Sequence, residues 1–268
     1  MSLSISGKTA IITGAANGIG LAIGRHFLDK GANVMFADMD EEGLRDELGD
    51  LIQGEGPARL FAGDLRQKLT VTNLLSATID AYERIDILVN ASRQVALSDP
   101  LSPEDDAVEA MLAQNLMTSL RVSQIVARRM IALAEKAGQP RAQGVIVNLS
   151  SIAARHMRPE LLGYSVACAA VDQMTRSLAV ALAPRGIRVN AVAIGSVMSA
   201  SLQATLKEHP DWRARIAEAT PMGRIAPPSD LVETVQFLAS DAAAFVTGQV
   251  IAVDGGRSLF DAAAPAAF

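Results

Sequence analysis

Residues 13–20 read TGAANGIG and place three glycines, Gly14, Gly18 and Gly20, in one short turn. The apolar run TAIIT at 9–13 predicts a buried strand before this turn, and the helical spacing of the apolar residues after it predicts a helix. A tight turn needs glycine for positive φ, and a pyrophosphate can approach a helix N-terminus only where no Cβ intervenes. Spaced glycines also occur in ordinary loops, but the strand before and the helix after favour a dinucleotide-binding loop.

Short apolar runs alternate with longer helical patterns along the rest of the chain, which indicates βαβ units and a parallel sheet. Six further strands are predicted: NVMFAD (33–38), ARLFAGD (58–64), IDILVNA (85–91), GVIVNLSS (144–151), IRVNAVA (187–193) and QVIAVDGG (249–256). No Pro/Gly/Ser-rich linker divides them. We therefore expect an α/β protein with a single Rossmann-type doubly wound domain over residues 1–268, a seven-stranded parallel sheet and helices on both faces.

Two segments lie outside this alternation. Residues 196–224 form a long insertion after the sixth predicted strand, and we expect two short helices there that make a flap over a substrate site. The Ala-rich end DAAAPAAF, residues 261–268, fits either a frayed terminus or an arm that docks on a partner.

Composition limits the classes of partner. The 268 residues carry a formal net charge of -5, which argues against a nucleic-acid surface. The longest apolar runs fall short of the roughly 20 residues that a membrane helix needs, and no signal peptide is visible, so we expect a soluble, cytoplasmic protein with no membrane partner. The single cysteine, Cys168, cannot form an internal disulfide, and three scattered histidines give no metal-ligand spacing, so no metal site is expected.

Asp38 ends the second predicted strand, eighteen residues beyond Gly20. A carboxylate at this place can accept hydrogen bonds from both hydroxyls of a ribose. It would also repel a 2′-phosphate, and neither Asn17 nor Met39 offers a compensating cation, so NAD is predicted over NADP. The alternative is that Asp38 caps the helix predicted to follow it.

Several motifs in order resemble the short-chain dehydrogenase/reductase family, from Gly7 to about Gly256. They are TGAANGIG, the GDL after the third strand, VNA after the fourth, NL in the next helix, VNLSS, RVNAVA and TGQVIAVDGG. The resemblance implies that the protein interconverts an alcohol and a carbonyl of a small-molecule substrate by hydride transfer. It also implies a homo-oligomer, a dimer or homotetramer, built through helices within residues 100–135 and 163–183.

The resemblance also implies roles for individual residues. Ser151 would polarise the substrate oxygen, Tyr164 would be the acid/base, and Asn115 would hold a water in the proton path. The implied cofactor-binding residues are Gly14, Asn17, Gly18, Ile19, Gly20, Asp38, Asp64, Leu65, Asn90, Ala91, Val197 and Ser199. Each catalytic candidate has a structural alternative: Ser151 could cap the end of its strand, Asn115 could bond the backbone of its own helix, and Tyr164 could be a core residue.

Three positions depart from the family pattern. Cys168 stands four residues after Tyr164, where the family has a lysine, and the catalytic set therefore includes Cys168 in its place. Without a nearby cation, a phenol of pKa about 10 is ionised to roughly one part in a thousand at pH 7. NAS at 90–92 replaces Asn-Ala-Gly, and IG at 194–195 replaces Pro-Gly. An alternative function is therefore a catalytically impaired NAD-binding protein that acts as a sensor or as an inactive partner in an oligomer.

Four side chains could compensate for the missing ammonium or receive an anionic substrate: Arg93, Arg155, His156 and Arg158. His156 could also transfer a proton itself if it lay near Ser151. The alternative for each is a solvated surface charge. Cys168 could be a small buried hydrophobe or a reactive thiol.

Overall fold

The computed structural model describes residues 2–52, 54–104 and 106–260, so the predicted arm at 261–268 lies outside the described residues. Seven strands lie within the described ranges: β1 (Thr9–Thr13), β2 (Asn33–Asp38), β3 (Ala58–Ala62), β4 (Ile87–Asn90), β5 (Gly144–Ser151), β6 (Ile187–Ile194) and β7 (Val250–Val253). They form one sheet in the order β3-β2-β1-β4-β5-β6-β7, and every neighbouring pair is parallel. The predicted sheet is confirmed, and the order reverses beside β1, where doubly wound folds bind ligands.

Helices cover both faces of the sheet. The helices are α1 (Gly18–Asp29), α2 (Glu41–Leu48), α3 (Lys68–Tyr82), α4 (Val108–Met111), α5 (Thr118–Lys136), α6 (Leu162–Leu182), α7 (Ala200–Glu208), α8 (Trp212–Glu218) and α9 (Ser229–Ala239). Along β1, Ala10 and Ile12 belong to the core shared with α1, α2 and α9, whereas Ile11 belongs to the core shared with α3, α5 and α6. Alternate residues of a strand point to opposite faces, so one apolar run supplies both cores.

Some predicted bounds were wrong. The helical region expected from residue 100 begins at Val108, and between α4 and α5 the chain makes a π-helical segment, Leu112–Met117. β3 ends at Ala62, two residues before its predicted end, although Gly63 still donates its N–H to the carbonyl of Asp38 on β2, at 2.8 Å. π-helical segments often occur at functional sites, and this one contains Asn115.

One apolar stretch is longer than we expected from the sequence, in which we identified no run long enough for a membrane helix. Residues 159–185, with a mean hydropathy of 1.2 over their most apolar window, are long and apolar enough to cross a membrane by length and composition. The stretch contains α6, whose buried face packs against β5 and β6. A core helix of this kind meets the same criterion, so the stretch is weak evidence for a membrane span.

The insertion at 196–224 contains two short helices, α7 and α8, as expected. Its start is joined to the chain just before α9, since Met198 donates its N–H to the carbonyl of Ala226 at 2.8 Å. A role as a substrate flap stays a prediction.

Candidate active site

The turn after β1 has the shape that its glycines permit. Gly14 and Gly18 have φ of +65° and +56°, the left-handed region that favours glycine. Gly20 is needed for a different reason, because a Cβ there would lie 2.1 Å from the carbonyl oxygen of Gly14. Neither the side chain of Asn17 nor an acidic residue in the first turn occupies the N-terminus of α1. Its N–H groups are therefore available to an anion.

Asp38 lies beside this turn. Its Oδ2 accepts a hydrogen bond from the N–H of Ala16 at 3.0 Å, and its Oδ1 accepts one from Met39 at 2.8 Å. The cap of α2 is Asp40, which accepts from the N–H of Gly43 at 2.9 Å. The capping role considered for Asp38 therefore belongs to Asp40.

A cleft of about 420 Å³ runs along the carboxyl ends of β1, β2 and β4. Most of the predicted cofactor-binding residues line it: Gly14, Asn17, Gly18, Ile19, Gly20, Asp38, Asp64, Leu65, Ala91 and Ser199. The cleft is also lined by residues that the sequence analysis did not assign to a cofactor site, including Arg66, Arg93, Gln94 and Gln114. Arg66 is paired with Asp64, with 2.8 Å between Nε and Oδ1.

Asn90 and Val197 were predicted to bind cofactor, but neither is among the residues that line the cleft. Asn90 is buried, and its Nδ2 donates to Ser123 Oγ at 2.9 Å and to Asn148 Oδ1 at 2.8 Å. Val197 is buried and forms an isolated bridge with Ala226. Asn90 therefore joins β4 to β5 and α5 beneath the cleft.

Tyr164 and Ser151 come together at the end of β5 and the start of α6. Tyr164 is 5% exposed, and its hydroxyl accepts a hydrogen bond from Arg93 Nη1 at 2.8 Å and also interacts with the Ser151 hydroxyl. Ser151 Oγ accepts from the N–H of Ala153 at 3.2 Å, so it also caps the turn after its strand. Neither Tyr164 nor Ser151 is among the residues that line the cleft, but Arg93, which bonds to Tyr164, does line it.

Cys168 is one helical turn beyond Tyr164 and is buried. Burial raises the pKa of the thiol to about 11, although the hydrogen bond to Tyr164 and the charge of Arg93 act in the opposite direction. A thiol of this kind is neutral at physiological pH. This environment fits the buried hydrophobe considered for Cys168 better than the reactive thiol.

Burial also raises the pKa of the Tyr164 phenol. The Arg93 charge and the bond from Ser151 act to lower it, and Cys168 acts to raise it further. Arg93 is therefore the largest influence that favours the phenolate.

Asn115 bonds to a loop rather than to the backbone of its own helix. Its Oδ1 accepts from the N–H of Gln94 at 2.8 Å, and its Nδ2 donates to the carbonyl of Gln94 at 2.9 Å. These bonds fix the loop that follows β4, one residue after Arg93.

The other three candidate cations lie at the surface. Arg155, His156 and Arg158 are exposed, and Arg158 forms an ion pair with Glu160. Among the described residues, Arg93 is the cation that donates a hydrogen bond to the Tyr164 hydroxyl.

A buried acid beneath Ser150 was not anticipated. Asp172, two turns beyond Tyr164 on α6, accepts a hydrogen bond from Ser150 Oγ at 2.6 Å. Burial raises the pKa of Asp172, while Ser150 and the charges of Arg176 and Arg155 act to lower it. The spacing in the sequence could have placed Asp172 near the site, because it follows Tyr164 and Cys168 at intervals of four residues, on the same side of the helix.

The chain packs tightly at Ser92, a departure from the family pattern, and at Gly195, the residue after the departure at Ile194. A Cβ on Gly14 would lie 2.6 Å from Ser92 Cα, so the serine backbone lies directly against the glycine turn. Gly195 packs against Asp254, whose Cα would be 2.9 Å from an added Cβ.

The chain is similar to known proteins over nearly its whole length. A family model described as Enoyl-(Acyl carrier protein) reductase matches residues 14–258. Galactitol 2-dehydrogenase (L-tagatose-forming) of Cereibacter sphaeroides is 34% identical over 258 residues, which cover 96% of this chain and 97% of that protein. The 3beta-hydroxysteroid dehydrogenase 1 of Eggerthella lenta is 33% identical over 258 residues, which cover 96% of this chain and 95% of that protein.

Solved structures have the same fold. A 7 alpha-hydroxysteroid dehydrogenase complexed with NADH and 7-oxo glycochenodeoxycholic acid matches with a TM-score of 0.85 at 30% identity, covering 95% of each chain. A gluconate 5-dehydrogenase from Burkholderia cenocepacia J2315 in complex with NADP and tartrate matches with a TM-score of 0.85 at 28% identity, covering 97% of this chain and 98% of that one.

Proposed function

Because the chain belongs to the short-chain dehydrogenase/reductase family, we propose that it is an NAD-dependent oxidoreductase that interconverts an alcohol and a carbonyl. The observation that carries this proposal is the position of Arg93, which lines the cleft and also bonds to the Tyr164 hydroxyl. Arg93 therefore links the proposed proton-transfer group, Tyr164, to a cleft suited to a dinucleotide. When bound there, a nicotinamide dinucleotide would accept or supply the hydride.

The glycine turn and Asp38 fit such a cofactor. A Cβ on Gly18 would meet only Ser199 Cβ, at 3.8 Å, so the start of α1 leaves room for a phosphate. Asp38 would accept hydrogen bonds from the ribose hydroxyls, and Ser199 would bond the nicotinamide amide. Asp64 and Leu65 would flank the adenine.

Asp38 supports NAD over NADP because its carboxylate would repel a 2′-phosphate. Two cations of the described residues line the cleft, and both already have partners: Arg66 is paired with Asp64, and Arg93 bonds to Tyr164. Related structures contain NADH in one case and NADP in another, so the preference rests on Asp38.

Side chains of the protein would carry out the proton transfer and hold the substrate. Ser151 would donate to the substrate oxygen, and Tyr164 would take the proton from an alcohol or return it to a carbonyl. Asn115 would hold the loop after β4 in place and a water in the proton path. Substrate would enter over Ser151 and Tyr164 beneath the flap formed by α7 and α8, within the single domain predicted from the sequence.

Oligomerisation through α6 is part of the proposal. Val166 and Val180 on α6 are 39% and 79% exposed, and apolar side chains on an exposed helix face support contact with a second copy. We expect a homotetramer in the cytoplasm. A monomer peak at micromolar concentration in sedimentation velocity would contradict this.

A second candidate function is an NAD-binding protein with little dehydrogenase activity. It is favoured by the neutral, buried Cys168 thiol, which we propose occupies the position of the family's lysine. It predicts tight NAD binding without turnover.

Calorimetric titration with NAD and NADP tests the cofactor assignment. Wild type should bind NAD more tightly, and Asp38→Asn should reduce the ratio of the two affinities at least about tenfold by removing the carboxylate charge. Asp46→Asn is the matched control, because Asp46 is exposed on α2 and outside the cleft. Equal affinities in wild type would overturn the NAD preference.

Turnover on the same samples distinguishes the two candidate functions. The panel should include polyols and hydroxysteroids, because related enzymes are named for such substrates, and should run from pH 7 to pH 10. NAD binding with turnover supports the oxidoreductase. NAD binding without turnover at any pH supports the second candidate.

A further inference from the structure

Arg93 approaches the reactive hydroxyl of the site from outside α6. It lies three residues beyond the end of β4, and its Nη1 is 2.8 Å from Tyr164 Oη. The arginine is half-buried, and the tyrosine is 5% exposed. A guanidinium remains charged at every physiological pH, so it gives this phenol a permanent positive neighbour.

The loop that carries Arg93 is anchored on both sides. The N–H of Ser92 donates to Thr13 Oγ1 at 3.2 Å. On the other side, Asn115 binds both the N–H and the carbonyl of Gln94. Because the backbone on each side of Arg93 is fixed, the contact with Tyr164 has to order the arginine side chain but not its loop.

The α6 residue one turn from Tyr164 cannot supply this charge. Cys168 carries no positive charge in either protonation state, and its burial keeps the thiol neutral. Among the described residues, the titratable groups that influence the Tyr164 phenol are Arg93 and Cys168, and Asp172 acts in turn on Cys168. Of Arg93, Cys168 and Asp172, Arg93 alone is a cation.

We propose that Arg93 is the positioning residue that orients Tyr164 and stabilises its phenolate, a task performed from the loop after β4 instead of from α6. This inference rests on the proposed function for its catalytic meaning. In alcohol oxidation the O–H bond of the substrate breaks and a new O–H bond forms at Tyr164 Oη. In the reverse direction that proton returns to the carbonyl oxygen. Arg93 keeps its own protons throughout and stabilises the negative oxygen by charge and hydrogen bonding.

A direct test follows the ionisation of Tyr164 without substrate. The chain has two tyrosines, and burial raises the pKa of Tyr82 to about 12, so Tyr82→Phe provides a background in which Tyr164 gives the single tyrosine signal. With tyrosine labelled at the hydroxyl-bearing carbon, ¹³C NMR reports the phenolate directly. Arg93→Gln should move the titration to higher pH, and Arg93→Lys should move it less. An unchanged midpoint in Arg93→Gln overturns the inference.

Two further variants test whether the charge itself matters. Arg93→Gln combined with Cys168→Lys restores a cation one helical turn from Tyr164, and should return the titration toward that of wild type. Arg158→Ala removes a surface guanidinium paired with Glu160 and should leave the titration unchanged. Failure of the lysine to restore any part of the shift overturns the role of charge.

Kinetics then connect the titration to the proposed function. A unit charge within about 4–6 Å changes an ionisation equilibrium by about 10- to 1000-fold, so kcat/KM at pH 7 should fall about tenfold or more in Arg93→Gln. The rise of activity with pH should move in parallel with the NMR titration. If Arg93→Gln shifts the NMR titration but wild type shows no turnover, the inference about Arg93 stands and the proposed oxidoreductase function fails.

Discussion

Replacing Gly14 by alanine tests whether close backbone packing shapes the turn after β1. A Cβ on Gly14 would lie 2.6 Å from Ser92 Cα and 2.7 Å from Ser92 N. Both are backbone atoms, so the loops after β1 and β4 would have to move apart. Gly14 also has φ of +65°, which a residue with a Cβ adopts only at a cost.

The two effects can be separated with a matched control. Gly138 has φ of +68°, but an added Cβ there would meet nothing within 4 Å. In Gly138→Ala the free energy of unfolding should therefore fall only by the cost of placing a Cβ at positive φ, about 1–2 kcal/mol. In Gly14→Ala the free energy of unfolding should fall by that amount and by about 1–3 kcal/mol more, because the added Cβ overpacks the turn.

Thermal unfolding and calorimetry measure the difference. At about 2 °C per kcal/mol for a chain of this length, Gly138→Ala should lower Tm by about 2–4 °C and Gly14→Ala by about 4–10 °C. NAD affinity should fall at least about tenfold in Gly14→Ala, because the displaced turn lines the cleft, and should be unchanged in Gly138→Ala. Equal losses of Tm with intact NAD binding in both variants would refute the reasoning.

Three further variants or treatments test the surroundings of Tyr164. Asn115→Ala leaves the backbone of Gln94 without two hydrogen bonds, so unfolding in urea should show a loss of about 1–3 kcal/mol, and kcat should fall; unchanged stability would contradict the anchoring role. With a pKa of about 11, Cys168 is about one part in a thousand thiolate at pH 8, so native protein should react with a disulfide reagent at least about 100-fold more slowly than protein in urea. Because burial raises the pKa of Asp172, its contribution to stability is present below its ordinary value of 3.8 and is lost as pH rises through the raised value. Asp172→Asn should therefore gain stability relative to wild type as pH rises above about 4, and a constant difference in unfolding free energy between the two proteins over that rise would contradict the assignment.

The fold could be predicted because its information is local. The five inner strands, β2, β1, β4, β5 and β6, are short apolar runs buried on both faces, and the longer helices have their own periodicity, so neither kind of element needs knowledge of distant residues. The glycine turn and Asp38 were identifiable for the same reason, since the βαβ unit fixes their positions relative to each other. The start of α4 was missed because residues 100–107 have no periodicity that distinguishes a loop from a helix.

The contacts within the site depend on tertiary packing. Arg93 and Tyr164 are 71 residues apart, and sequence position alone grouped Arg93 with Arg155, His156 and Arg158, which are exposed. Asn90 ends a strand at the correct edge of the sheet, yet its side chain points into the core toward Asn148. A sequence motif fixes where a residue lies along a strand, but the direction of its side chain depends on partners that the motif does not contain.

Steady-state formation of NADH by wild type and Tyr164→Phe, compared on the same alcohol panel from pH 7 to pH 10, tests whether Tyr164 is the acid/base of an active dehydrogenase. We predict turnover in wild type that rises with pH and a loss of about 10²- to 10⁴-fold in Tyr164→Phe, the usual contribution of a general acid/base. The two proteins should bind NAD equally well. Equal turnover in both, or NAD binding by wild type without turnover at any pH, would contradict this prediction.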